Sequence, residues 1–153
     1  RQHLEPDVIS YNAAISSCAK SEQGERAFHM LAGMQEQCWE PDAISYGAAL
    51  SACQKGDQWR QALMLFTEMR AHTIEPSAIS SSVGISACAK SRRWHQALGL
   101  LVDMHGQHRE PDVMSYNPAI SACETGEQWH LALGVLTEMS KQHMRPNVIS
   151  YNA

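Results

Sequence analysis

A seven-residue stretch, Pro6-Asp7-Val8-Ile9-Ser10-Tyr11-Asn12, recurs along this chain at a fixed step of 35 residues. It returns as Pro41-Asp42-Ala43-Ile44-Ser45-Tyr46-Gly47, and again from Pro76, Pro111 and Pro146. Five of the six prolines fall on this comb, and only Pro118 lies off it. A constant period of this size is the signature of a solenoid, in which one supersecondary unit is stacked many times.

The comb divides the chain into four whole repeats, 8–42, 43–77, 78–112 and 113–147, with 1–7 as the tail of a preceding unit and 148–153 opening a fifth. Four units exceed the minimum of roughly three that a stable stack needs. The chain opens in the tail of one repeat and stops just inside another, so a longer array is expected, with its targeting segment out of view. Polar capping units are not visible at either end.

Within the first repeat, Tyr11, Ala14, Ile15, Cys18 and Ala19 recur at three- and four-residue steps, which predicts a helix. Asp7 or Ser10 is placed to cap its start, and the same serine recurs as Ser45, Ser80, Ser115 and Ser150. A polar turn follows, with Gly56 and Gly126 expected to supply a left-handed helix end. The second half repeats the stripe with Ala27, Phe28, Leu31 and Met34, matched by Ala62, Leu63, Phe66 and Met69, then Ala97, Leu98, Leu101 and Met104, then Ala132, Leu133, Leu136 and Met139. Each proline then stops the second helix and forces its predecessor toward extended geometry. The unit is therefore a helix, a turn, a second helix and a break, and neither helix can bury its stripe alone. An all-α superhelix follows, with first helices on its inner face and second helices outside. Pro118 sits early in a first helix and is expected to be tolerated without a kink.

The composition narrows the function. A net charge of −4 argues against a strongly basic nucleic-acid binder. No run approaches the ~18 apolar residues of a membrane span. Cys18, Cys53, Cys88 and Cys123 lie 35 apart on the apolar stripe, where a small buried residue explains them; Cys38 falls in a link. No C-x-x-C pair is present, and His105 with His108 is too few ligands for a metal site. No nucleophile–base pair, phosphate loop or carboxylate pair appears, so neither an enzyme nor a cofactor is called for.

The pattern Val8-Ile9-Ser10-Tyr11-Asn12-Ala13-Ala14-Ile15, then Arg26-Ala27-Phe28 with Leu31 and Met34, then Glu40-Pro41-Asp42, resembles the pentatricopeptide repeat over essentially the whole chain. The tetratricopeptide repeat, with its 34-residue period, would have drifted out of register. The resemblance implies a right-handed superhelical α-solenoid of helix-turn-helix repeats, of the pure 35-residue subclass. It implies single-stranded RNA as partner, one base per repeat, each base read by two or three side chains. On the family's pattern the readers are Asn12 with Asp42 for uracil, Gly47 with Ser77, Ser82 with Asp112 for guanine, and Asn117 with Asn147 for a pyrimidine. Gly47 has no side chain to offer a base, so the implied core is 5′-U-N-G-Y-3′. Ile9, Ile44, Ile79 and Met114 would wedge between bases. Lys20, Lys55 and Lys90 would meet phosphates, a series that Thr125 breaks.

Each of these residues also has a plainer reading. Asp42, Asp112 and Asn147 suit helix N-caps. The lysines answer helix dipoles. Trp59, Trp94 and Trp129, repeated at the start of the second helices, suit packing better than base stacking. Asn12 and Asn117 are harder to dismiss, because Asn inside a helix is mildly unfavourable. Two functions stand. One is an RNA reader acting on plastid or mitochondrial transcripts, where the family mainly works. The other is a scaffold subunit of a larger organellar protein assembly, which the acidic balance and the Gly47/Ser77 break favour.

Overall fold

The computed structural model describes residues 7–107, 110–146 and 150. Eight helices, each of 13 residues, make up the described chain, and no strand occurs among the described residues. They are α1 (Val8–Lys20), α2 (Gly24–Glu36), α3 (Ala43–Lys55), α4 (Trp59–Ala71), α5 (Ala78–Lys90), α6 (Trp94–Gly106), α7 (Val113–Thr125) and α8 (Trp129–Lys141). Each first helix begins at the residue after an Asp or Ser that follows the comb proline.

That residue is the cap. The side chains of Asp7, Asp42, Ser77 and Asp112 accept the backbone N–H of Ser10, Ser45, Ser80 and Ser115 at 2.8, 2.8, 3.1 and 2.9 Å. Each such cap contributes about 1 kcal/mol. The recurring serine is therefore the third residue of the helix rather than its cap. The second helices start on Gln23, Gln58, Arg93 and Gln128, which make no side-chain cap bond.

Every first helix ends in the same way. Glu22, Asp57, Arg92 and Glu127 take left-handed φ values of 56–58°. The next residue then bonds back five positions, Gln58 N–H to the Cys53 carbonyl at 2.9 Å and Gln128 N–H to the Cys123 carbonyl at 2.8 Å. Gly56 and Gly126 sit one residue earlier with ordinary φ values of −84° and −91°. The left-handed role expected of them belongs to their acidic neighbours, and the glycines are needed for space. Cys38, Thr73 and His143 close second helices with the same left-handed step.

Two compact units form, residues 1–76 and 77–153. In the first, α1 packs on α3, and α2 lies against both α1 and α3. In the second, α5 packs on α7, and α6 lies against both. Within each unit first helix thus stacks on first helix, and α2 and α6 fill the grooves between them. Ile15, Leu31, Met34, Leu50, Leu65 and Met69 are fully buried or nearly so in the first unit. Burying each contributes about 1.5–3 kcal/mol. Phe28, Leu63 and Leu98 stay half-buried, and Leu65 and Leu100 take the deeper places on the outer helices.

The repeated tyrosine is a core residue with a polar tip. Tyr46 and Tyr116 are fully buried. The Gln35 amide reaches the Tyr46 hydroxyl at 3.3 Å, and the His105 ring nitrogen reaches the Tyr116 hydroxyl at 3.0 Å. Those partners come from the preceding second helix, so each pair ties one repeat to the next.

Pro118 is the sixth residue of α7, one turn deeper than the free first-turn N–H groups. It supplies no N–H to the Met114 carbonyl, yet α7 runs its full length. Trp94 packs against Gly126 of the following repeat. Trp129, with no described helix beyond α8, is 61% exposed.

Candidate nucleic-acid interface

The open edge of each first helix carries one exposed aliphatic residue on its second position. Ile9, Ile44, Ile79 and Met114 are 77%, 67%, 78% and 68% exposed, whereas the other large apolar residues of these helices are buried or half-buried. Burial would be the default for an Ile on an amphipathic helix, so Ile9 with Ile44 in the first unit, and Ile79 with Met114 in the second, form a repeated apolar ridge in each unit rather than scattered surface.

Three residues further along, on the same helices, come Asn12, Gly47, Ser82 and Asn117, all half-buried. Asn12 meets the cap of the next repeat. Its Oδ1 accepts from the Ser45 hydroxyl at 2.6 Å, and Ser45 lies 2.8 Å from the Asp42 carboxylate. The neighbouring Asn12 amide also acts to lower the Asp42 carboxyl. Burial works to raise the Asp42 carboxyl, but the Ser45 backbone and hydroxyl bonds and the Asn12 amide outweigh it and hold it below the usual carboxylate value. Asp42 is therefore an anionic acceptor at neutral pH, fixed beside an amide donor.

The second unit repeats the arrangement with different chemistry. Ser82 Oγ lies 2.7 Å from Ser115 Oγ, and Ser115 donates to the Asp112 carboxylate at 2.9 Å. One repeat later the Ser150 hydroxyl donates to Asn117 Oδ1 at 2.6 Å. Asn147, the expected partner of Asn117, lies outside the described residues. Gly47 belongs to the first unit and Ser77 to the second; Ser77 caps α5 and bonds the Ser80 hydroxyl at 3.0 Å.

Lys20, Lys55 and Lys90 are the exposed last residues of α1, α3 and α5. Lys90 joins Met114, Asn117 and Pro118 around a cleft of about 360 Å³ between α5 and α7. At the end of α7, where Thr125 replaces lysine, the Arg92 guanidinium forks onto the Thr125 carbonyl at 3.0 and 3.2 Å. A cation thus stands at that helix end as well, delivered from the preceding turn.

Two groups fall outside this edge. Cys53 and Cys88 are fully buried, and burial pushes their thiols up to about 12 and about 11. Among the described residues no three His, Cys, Asp or Glu side chains converge as a metal site requires, and His108 lies outside them. No described helix is long and apolar enough to cross a membrane.

Sequence reasoning named Asn12, Ser82 and Asn117 as candidate readers but missed Ser45, Ser115 and Ser150 as their hydrogen-bond partners. The signal was present: a serine held at one register in every repeat, on helices whose caps were already supplied, needs a second task.

The pentatricopeptide repeat domain matches residues 99–153, the PPR repeat family residues 6–55, and the PPR repeat residues 44–74 and 85–108. No curated protein matches the chain. Among solved structures, the pentatricopeptide repeat protein PPR10 in complex with an 18-nucleotide psaJ RNA element is 25% identical over 99% of this chain, with a TM-score of 0.84. The pentatricopeptide repeat protein PPR10 from maize is 19% identical over 97%, with a TM-score of 0.83. The chain spans only 22% and 21% of those two structures. Its period, its paired helices and these matches together make the chain a member of the pentatricopeptide-repeat family.

Proposed function

We propose that this chain binds single-stranded RNA, taking one base on each repeat by the side chains that line the first-helix edge. The observation that carries the reading is the joined group of Asn12, Ser45 and Asp42 beside exposed Ile9 and Ile44. An amide N–H donor next to a carboxylate acceptor matches the adjacent carbonyl oxygen and imino N–H of uracil. A cytosine would set its N3 lone pair against the Asp42 carboxylate. Ser82 with Asp112 offers a shorter reader beside the same kind of acceptor, which leaves room for the larger guanine and its N1–H. Gly47 offers no side chain, so its base goes unread. Asn117 with Asn147 is assigned a pyrimidine. The similarity to an RNA-bound protein of the family supports this reading.

Lys20, Lys55 and Lys90 attract the backbone without reading sequence. The action is occupancy, shielding or remodelling a transcript, and the transcripts we assign are those of a plastid or mitochondrion. With ~1–3 kcal/mol per stacked base, four repeats bind modestly.

The test is fluorescence anisotropy with a labelled RNA carrying 5′-UAGC-3′ between unpaired adenines, at two fixed salt concentrations. The competitors exchange U and G, or replace RNA with DNA. Preference for the first strand, lost in Asn12→Ala, is the expected result. If the folded chain binds none of them, the RNA reading fails and this edge belongs to a protein partner, which the net charge of −4 favours.

A further inference from the structure

We infer that the third-position serine of each repeat is a positioning residue for the reader of the repeat before it, fixing which way that reader faces its base. The inference rests on the RNA-reading function proposed above. In three places a serine hydroxyl meets the reader 33 residues earlier: Ser45 with Asn12 at 2.6 Å, Ser115 with Ser82 at 2.7 Å, and Ser150 with Asn117 at 2.6 Å. All three serines are 0–1% exposed. A buried hydroxyl must place its one proton on an acceptor, and the reader is the nearer of the two oxygens it meets, 2.6 Å against 2.8 Å to the cap for Ser45 and 2.7 Å against 2.9 Å for Ser115.

The consequence differs by reader. With Asn12, the hydroxyl holds the amide oxygen inward, so the NH2 group faces Asp42 and the base. A free Asn presents either end, since the two are nearly equal in shape. The serine therefore decides that Asn12 donates, which selects a carbonyl on the base. With Ser82, the Ser115 hydroxyl meets the reader oxygen at 2.7 Å, and the Ser82 hydroxyl itself donates to the Ala78 carbonyl at 2.9 Å. The Ser82 proton is thus turned away from the base and its oxygen is left as an acceptor, which suits the amino group of guanine. Ser80 provides an internal control. Its counterpart one repeat earlier is Gly47, and its hydroxyl bonds the Ser77 cap instead.

The variants are Ser45→Ala, Ser45→Thr and Ser80→Ala in the 153-residue chain. Anisotropy compares strands carrying U or C at the first position of the 5′-UAGC-3′ core. Ser45→Ala is expected to reduce the preference for U over C by about tenfold, and Ser45→Thr, which keeps the hydroxyl, to retain it. Ser80→Ala is expected to leave every base preference unchanged, although it removes a comparable cap contact. A second readout needs no RNA: the Asn12 side-chain amide, observed by NMR, should be ordered in the parent and in Ser45→Thr and mobile in Ser45→Ala. Full U preference in Ser45→Ala, or an equally ordered Asn12 amide, overturns the inference. Absence of RNA binding in the parent overturns the RNA reading instead, and the amide order then still decides whether Ser45 holds Asn12.

Discussion

The indole of Trp94 lies against Gly126, so closely that a Cβ at 126 would collide with the ring. Gly126 has an ordinary φ of −91°, so its backbone alone would accept any residue. Space between repeats is what requires glycine here. Gly126→Ala is expected to destabilise the chain by about 1–3 kcal/mol, because the indole must leave a packed position. Gly99→Ala is the matched contrast. No atom stands within 4 Å of its added Cβ, and it lies inside α6, so it should gain about 0.5–1 kcal/mol. Urea unfolding of both variants measures the difference, and an unchanged midpoint for Gly126→Ala would contradict the packing argument.

Thr73 adopts φ 56° in the turn after α4. A β-branched residue in the left-handed region is a strained outlier. Its hydroxyl donates to the His72 carbonyl at 2.7 Å, a local bond that offsets part of the strain. Thr73→Asn and Thr73→Gly both suit this conformation better, and a gain of about 0.5–1 kcal/mol is expected for each. A lower thermal midpoint in both variants would show that the hydroxyl bond outweighs the strain.

What the sequence made legible is what is local. The proline comb and the stripe through Ile15, Leu31 and Met34 state the helices directly, since period and breaker both act within one repeat. The half-buried places of Phe28 and Leu63 against buried Leu65 were not legible, because which side of a helix faces inward depends on where the neighbouring repeat sits. The same holds for Gln35 on Tyr46 and Ser45 on Asn12, whose partners come from another repeat. Gly56 and Gly126 misled for a different reason. Glycine at a helix end usually signals left-handed backbone, but here Asp57 and Glu127 take that step, and only packing reveals the need for a missing side chain.

The buried thiols set an alkaline limit. Burial pushes Cys53 up to about 12 and Cys88 up to about 11, whereas an unfolded chain releases these protons near pH ~8.5. A raised folded value means the stabilising difference is complete below pH ~8.5 and is lost as pH climbs toward the folded values. Stability in reducing buffer should therefore fall steadily from about pH 8.5 upward. The fall should be shallower in a Cys53→Ala, Cys88→Ala double variant, and identical slopes would refute the assignment. In the native chain at pH ~8 the exposed Cys38 should be the one thiol that reacts quickly with a disulfide reagent, and Cys38→Ser should remove that phase.

Stability and recognition should separate cleanly on the first-helix edge. Ile44 is 67% exposed, so Ile44→Ala should change folding stability by no more than about 0.5 kcal/mol. If its side chain wedges between bases, the same variant should weaken RNA binding by roughly 1 kcal/mol, the low end of a base-stacking contact. Lys20, Lys55 and Lys90 act through charge alone in this reading. Replacing all three with Gln should reduce the slope of log affinity against log salt by about 2, since each single-strand phosphate contact contributes ~0.7. The ratio of affinities for U and C strands should not move, because phosphate contacts carry no base information. A changed base preference in the lysine variant, or an unchanged affinity in Ile44→Ala, would show that the ridge and the charges do not divide the work in this way.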